Sequence, residues 1–211
     1  MDAILFDLDN TLYHPERELF SLIDVRINRY MSDIVGIAPA DVDGLRRRYW
    51  ADYGVTLQGL IRHHGVDAED YLDYVHDVNV HERILPDPEL CDRLAAIESP
   101  CYVFTNGSRA HAERVLACLG IAEQFEEIFD IRIAAYQPKP FPDSYREVMR
   151  KVGCKPDRSV MVEDSIENLL TAREMGMKTV LVRELEPDRR FDAHVETASA
   201  AASVICGWLA A

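Results

Sequence analysis

The sequence predicts an α/β fold, a parallel sheet with helices on both faces into which a purely helical unit is inserted, and three observations predict it. The apolar run Ala3-Ile4-Leu5-Phe6 ends abruptly in acidic and hydroxyl side chains, as a buried parallel strand does when it delivers its last residues to a ligand crevice. From about Pro15 to Leu85 apolar residues recur only at helical spacing, with no strand. From Glu89 onward helical and strand patterns alternate, the signature of a sheet built by crossover helices.

Taken in order, the first strand ends at Asp7-Leu8-Asp9-Asn10-Thr11, where two aspartates share one turn. Two carboxylates so close repel each other unless a cation or a transferable proton is present. The helical unit follows over residues 15–85. Leu19, Leu22, Ile23, Ile27 and Tyr30 mark its first helical face, Ala40 to Trp50 a second helix, Leu57 to His64 a third, and a fourth starts near Ala68. Gly36, Gly54 and Gly65 punctuate them, and Pro86-Asp87-Pro88 reads as a hinge back to the first domain. Residues 1–14 and 86–211 then form a Rossmann-like core. Helix Glu89 to Ile97 leads to strand Cys101 to Phe104 and its polar end Thr105-Asn106-Gly107-Ser108. A helix bearing Ala112, Val115, Leu116 and Leu119 stops at Gly120, and a short strand is expected near Phe129 to Ile133. Lys139 lies between Pro138 and Pro140, a helix spans Pro142 to Val152, and strand Ser159 to Val162 ends in Glu163-Asp164 with Ser165 as the cap of the next helix. Lys178 to Val182 and Ala193 to Val195 are further strands, and Ser199 to Leu209 is the closing helix.

Composition bounds the function. The 211 residues, 48% hydrophobic, suffice for one α/β domain with a smaller accessory unit. No apolar run approaches a membrane span, and Met1-Asp2 does not begin a signal segment, so a cytoplasmic location is expected. Cys91, Cys101, Cys118, Cys154 and Cys206 have neither zinc spacing nor an even count, and read as reduced, mostly buried small hydrophobes. A net charge of −14 argues against a nucleic-acid or membrane partner while leaving room for a small phosphorylated ligand.

All C-terminal strand ends of a parallel sheet lie on one edge, so Asp7 and Asp9, then Thr105 with Asn106 and Gly107, then Lys139, then Glu163 and Asp164 converge in space. Carboxylates, a hydroxyl, a loop of N–H groups and one cation form the inventory phosphoryl transfer requires. The oxygen-rich set suits Mg²⁺, and the lack of clustered His or Cys disfavours zinc.

At these residues the sequence strongly resembles the haloacid dehalogenase-like superfamily of phosphatases, whose pattern is matched by Asp7-Leu8-Asp9-Asn10-Thr11, Thr105, Lys139 and Glu163-Asp164. The resemblance implies Asp7 as the nucleophile that forms an aspartyl-phosphate, and Asp9 as the general acid that then activates water. It also implies Thr105 with the Asn106-Gly107 backbone as phosphate donors, and Lys139 as the group holding Asp7 and phosphate together. Magnesium would sit on Asp7, the Asp9 carbonyl and Asp164, with Glu163 a ligand or just behind one. The helical unit takes the place of that family's cap domain. It is similar to the cap of the pyrimidine 5'-nucleotidase-like branch at Tyr53 to Leu60, His64 and Tyr74-Val75-His76-Asp77, as is the core run Thr105 to Ala112. UMP or CMP is therefore the expected substrate, with Tyr53 to His64 expected to stack on and read the base. Arg46-Arg47-Arg48 reads as a solvated face, and His63, His64, His76 and His81 each read as structural.

A non-catalytic phosphate-binding relative would be expected to lack Asp7 or Asp9, and both are present. A receiver-like signalling module needs its acceptor aspartate before Thr and Lys, and here the last acidic group follows Lys139. A dehalogenase lacks the second aspartate that Asp9 supplies. A phosphatase of the same subgroup acting on a phosphosugar or phosphoglycolate is the serious alternative.

Overall fold

The computed structural model of the protein describes residues 1–184 and 188–211. Its strands are β1 (Ala3–Phe6), β2 (Cys101–Phe104), β3 (Glu127–Phe129), β4 (Ser159–Glu163), β5 (Lys178–Val182) and β6 (Ala193–Val195), paired in parallel in the order β3-β2-β1-β4-β5-β6. All four residues of β1 are fully buried because helices cover both faces, which explains the unbroken apolar run. Strand order reverses at β1, so the crevice of an open α/β sheet opens beyond the ends of β1, β2 and β4.

Successive β1 side chains serve opposite layers. Ile4 and Phe6 pack with Leu90 and Leu94 of α5 (Pro88–Ala95), Val115 and Leu116 of α6 (Arg109–Leu119), and Ala201 and Ile205 of α9 (Ala198–Leu209). Leu5 joins Tyr145 and Val148 of α7 (Pro142–Val152) and Leu169 and Ala172 of α8 (Ile166–Glu174) on the other face. Four of these helices start on an acceptor side chain. Asp87 caps α5, Ser108 caps α6, Ser165 caps α8 and Thr197 caps α9. The Pro86-Asp87-Pro88 stretch is thus a helix start, and Asp87 N also donates to the Leu119 carbonyl at 2.9 Å.

Residues 15–85 contain helices and turns but no strand. A single turn at Pro15–Arg17 precedes α1 (Leu19–Arg29), which runs into a π-helical turn at Tyr30–Ile34. Then come α2 (Pro39–Tyr53), α3 (Thr56–His64) and α4 (Ala68–His76), the last capped by Asp67. They enclose an apolar core of their own around Ile23, Ile27, Tyr30, Leu57, Leu60, Tyr71 and Val75, joined by Ile131 from beyond β3. Among the described residues no helix is long and apolar enough to cross a membrane.

Several expected boundaries shift, each for a local reason. The strand expected at Phe129 to Ile133 occupies Glu127–Phe129. Asp130 Oδ1 accepts from Arg132 N, which bends the chain into a single helical turn at Ile131–Ala134, while Ile131 leaves the sheet for the helical unit's core. The helix expected over Ala40 to Trp50 extends to Pro39–Tyr53, with proline in its first turn. Of the five cysteines, all free, Cys101 and Cys118 are buried, but Cys91, Cys154 and Cys206 are half-buried, fewer in the core than expected.

Candidate active site

Asp7 follows β1, Thr105 follows β2 and Glu163 ends β4, so the sheet order makes these three neighbours. Lys139 arrives from the loop before α7, held by a reciprocal pair of bonds. Asn106 Nδ2 donates to the Lys139 carbonyl at 3.0 Å, and Lys139 N donates to Asn106 Oδ1 at 2.8 Å. Thus fixed, the Lys139 ammonium is 1% exposed and donates at 2.7 Å to Asp7 Oδ1, to Glu163 Oε2 and to the Phe104 carbonyl. The second Glu163 oxygen accepts from Ser165 N at 3.2 Å, and Asp164 Oδ1 accepts from Thr11 Oγ1 at 3.4 Å. One oxygen from each of Asp7, Glu163 and Asp164 lies within 4.8 Å of the others.

The electrostatics follow from three buried or half-buried carboxylates facing one ammonium. Burial, then the charge of Glu163, pushes Asp7 up to about 7 despite Lys139. Burial raises Glu163 to about 7, and burial with the Asp7 charge raises Asp164 to about 6. Burial opposes the charge on Lys139, but attraction to Asp7 and Glu163 outweighs it and holds the ammonium above its ordinary value. Two negative charges of this cluster remain uncompensated when all three acids ionise. An all-oxygen site with that deficit fits a hard divalent cation.

Asp9, on the same turn, has separate partners. Tyr13 Oη donates to its Oδ1 at 2.6 Å, and His111 Nε2 lies 2.9 Å from the same oxygen. Burial would raise Asp9, yet His111 and Tyr13 outweigh burial and hold it below the usual carboxylate range. His76, at the end of α4, stacks on His111 with ring centroids 4.7 Å apart, and burial pushes its own value down to about 3. His111 is a functional candidate that residue patterns do not expose, since a sequence does not tell which α6 side chains meet a turn 102 residues away, whereas Tyr13, four residues from Asp9, is a local contact that the motif pattern does not single out. The signal present was Ser108, whose capping of α6 at His111 N fixes that helix's first turn.

Thr105, Asn106 and Gly107 line the same chamber as Asp7 and Asp9, as expected, but their donors are less free than a loop of open N–H groups. Gly107 N donates to Thr105 Oγ1 at 2.9 Å, and the Asn106 side chain is committed to Lys139. The chamber, about 360 Å³, is roofed by Phe20, Ile23, Ile27, Trp50, Val55, Leu57, Tyr71 and Val75 of the helical unit. A larger cleft of about 740 Å³ borders the linkers Leu12–Arg17 and Ile84–Leu90, and shares Asn10 and Asp164 with the chamber but reaches neither Asp7 nor Lys139.

Two expectations about the helical unit are corrected. Arg46 is not on a solvated face: it lines the chamber and donates to Asn28 Oδ1 at 2.8 Å and to Asp24, because its helix presents this one arginine to α1 while Arg47 and Arg48 stay exposed. The stretch Tyr53 to His64 is mostly taken up by packing within its own unit and by one bond to the core. Gly59 admits the Tyr49 ring, which an added Cβ would meet at 2.0 Å; Tyr53 Oη bonds His63 at 2.8 Å; and Gln58 Nε2 donates to the Tyr136 carbonyl at 2.7 Å. Only Gly54 to Leu57 reach the chamber.

A family model described as haloacid dehalogenase-like hydrolase matches residues 1–176. The chain belongs to the haloacid dehalogenase-like hydrolases. Among its relatives, the glyceraldehyde 3-phosphate phosphatase of Methanothermobacter thermautotrophicus is 32% identical over 93% of this chain and 91% of its own length. The phosphoglycolate phosphatase of Rhodospirillum rubrum is 27% identical over 85% of the chain and 78% of that protein. Phosphate metabolism protein 8 of Saccharomyces cerevisiae is 25% identical over 85% of the chain, which spans only 60% of that protein's length. Two solved structures of haloacid dehalogenase-like proteins share the fold. A HAD phosphatase from Thermococcus onnurineus superposes with a TM-score of 0.64 at 19% identity, covering 97% of this chain and 98% of its own. The L-2-haloacid dehalogenase of Xanthobacter autotrophicus with chloropropionic acid covalently bound gives 0.63 at 16%, over 98% and 99%.

Proposed function

We propose that this chain is a magnesium-dependent phosphatase that hydrolyses a small phosphomonoester by two successive displacements at phosphorus. The observation that carries the reading is the Asp7–Lys139–Glu163 cluster opening, with Asp9 and Thr105, onto one chamber. Lys139 occupies Asp7 Oδ1, so Oδ2 is the oxygen that attacks phosphorus. As the bond from Asp7 to phosphorus forms and the ester P–O bond breaks, Asp9 passes its proton to the leaving oxygen. The arriving phosphate places negative charge beside Asp9 and raises its affinity for that proton. Asp9, now ionised, takes a proton from the water that attacks the aspartyl-phosphate, and Asp7 is regenerated. Thr105 and the Asn106-Gly107 backbone donate to the phosphoryl oxygens, with the Gly107 N–H released from Thr105 to do so. Asp7, the Asp9 carbonyl and Asp164 would hold the magnesium. Glu163 fixes Lys139 through Oε2, and it belongs to the same candidate metal cluster as Asp7 and Asp164. Bound there, the cation would neutralise charge on the phosphoryl group.

For the leaving group, the relatives named for phosphoglycolate and glyceraldehyde 3-phosphate support a small phosphorylated metabolite of the phosphosugar or phosphoglycolate kind over the pyrimidine nucleotide expected from the cap. A second reading, UMP or CMP, draws on the apolar and aromatic roof of Phe20, Trp50 and Tyr71. Phosphate release is to be measured across phosphoglycolate, glyceraldehyde 3-phosphate, hexose phosphates and the four common nucleoside monophosphates, with Mg²⁺ and with EDTA. The proposal expects turnover that EDTA abolishes and Mg²⁺ restores, with a phosphosugar or phosphoglycolate highest in kcat/KM. A lead of about tenfold, or 1.4 kcal/mol, for UMP or CMP would favour the second reading. No release from any ester, or release indifferent to metal, would overturn the proposal.

A further inference from the structure

The acid–base aspartate has a neighbourhood that the reaction outlined above does not use. Asp9 Oδ1 receives two bonds, from Tyr13 Oη at 2.6 Å and His111 Nε2 at 2.9 Å, whereas Oδ2 has no partner among the described residues. His111 is 0% exposed and its Nδ1 is a buried nitrogen without a hydrogen-bond partner. An unpaired buried polar atom destabilises a core, and a leucine or phenylalanine would fill the same space without it. Packing therefore does not account for an imidazole here. The one polar contact the ring makes through its own atoms is to Asp9, through Nε2, and Nδ1 has no partner.

The ring is held in that pose from the other side. His76 of α4 lies nearly parallel to it, at an interplanar angle of 22°. His76 is itself fixed, since its Nδ1 lies 2.9 Å from the Leu72 carbonyl and 3.2 Å from Ser108 Oγ, and its carbonyl accepts from Arg114 of α6 at 2.7 Å. The helical unit thus presses on the ring that touches Asp9.

We propose that His111 is a positioning residue for Asp9: together with Tyr13, and braced by His76, it saturates Oδ1 and turns Oδ2 toward the leaving oxygen. The proposal rests on Asp9 being the general acid, as argued above. Its consequence is selective. A leaving oxygen that is a strong base departs only with a proton, whereas p-nitrophenolate departs without one, so misorientation of Asp9 harms alkyl phosphates and spares the aryl ester. The quantity to compare is kcat/KM, which reports the steps up to departure of the leaving group and not the later attack of water.

The test measures kcat/KM of wild type, His111→Leu, His111→Gln, Tyr13→Phe and Asp9→Asn, all in Mg²⁺, on p-nitrophenyl phosphate and on the best alkyl phosphate. The expected result is that His111→Leu lowers the alkyl value at least about tenfold more than the aryl value. His111→Gln, whose amide can donate from near the Nε2 position, should recover most of the difference. Tyr13→Phe should show the same selectivity to a smaller degree, and it decides the matter if His111→Leu does not fold by circular dichroism. Equal losses on both esters, or no loss, would overturn the proposal. If Asp9→Asn alone is alkyl-selective, the positioning role falls and the general-acid reading stands. If wild type hydrolyses neither ester, both fall.

Discussion

The Lys139 ammonium donates to Asp7, Glu163 and the Phe104 carbonyl, so a side chain that is usually solvated is locked among acceptors at 1% exposure. Removing its charge leaves two buried carboxylates side by side with nothing between them. Lys139→Met is therefore expected to reduce unfolding free energy in metal-free urea titrations by about 3 kcal/mol, the usual penalty for orphaning a buried charge partner. An unchanged midpoint would mean that the cluster is already held neutral by protonation. This lysine was legible in the sequence through its place between two prolines in a loop at the carboxyl edge of the sheet, as were Asp7, Asp9, Thr105, Glu163 and Asp164 at strand ends. His111 and Tyr13 were not. The importance of His111 comes from the way α6 packs against the turn after β1, and that of Tyr13 from a local contact four residues from Asp9 that no chemical pattern singles out. Arg46 was misread for the same reason: three consecutive helical arginines look alike until a neighbouring helix, α1, selects one of them.

Helix pairs and their contacts with the core set what the helical unit can do. In α3, Gly59 is the only residue type that admits the Tyr49 ring of α2, so Gly59→Ala should lower stability by about 1–3 kcal/mol through overpacking, read as a drop in Tm. Gly54 ends α2 at φ +79°, and an added Cβ would meet the Lys139 carbonyl at 3.1 Å, so this turn of the unit rests directly on the loop that carries Lys139. A second tie runs from Glu69 of α4 to Arg132 and Tyr136 beyond β3. Arg132, then Tyr136, holds the Glu69 carboxyl down to about 2 from an ordinary 4.5. A depressed carboxyl gives stability that is present above its unfolded value and lost as pH falls from about 4.5 toward 2. The Tm gap between wild type and Glu69→Gln should thus be steady from pH 7 to pH 5 and close below pH 4. With both side chains about a third to a half exposed, the tie contributes at most about 1 kcal/mol, so a much larger gap would point to a different role. Element type and order were legible because burial on both faces leaves long apolar runs and caps leave Ser, Thr and Asp at helix starts. The end of β3 was not legible, because Asp130 and the helical unit's demand for Ile131 compete with a β-like sequence there.

At the scale of the whole molecule, the sheet gathers groups from residues 7 to 164 onto one edge, and the helical unit closes over them to leave a chamber of about 360 Å³. Closure of the roof on a bound ester would exclude bulk water from a site whose charges act more strongly when dry. On the proposed reading the roof, not the strand-end floor, selects the leaving group, which is why fold and chemistry are more readable than substrate. The central claim is that Asp7 itself accepts the phosphoryl group. The most direct measurement is a rapid acid quench of a single turnover of the best phosphate ester, followed by peptide mass spectrometry over the millisecond course. The account predicts that the peptide carrying Asp7 gains and then loses the mass of one phosphoryl group, and that Asp7→Asn shows neither the adduct nor turnover while keeping its fold. Complete consumption of the ester with Asp7 unmodified throughout, or a phosphoryl group on another side chain, would contradict it.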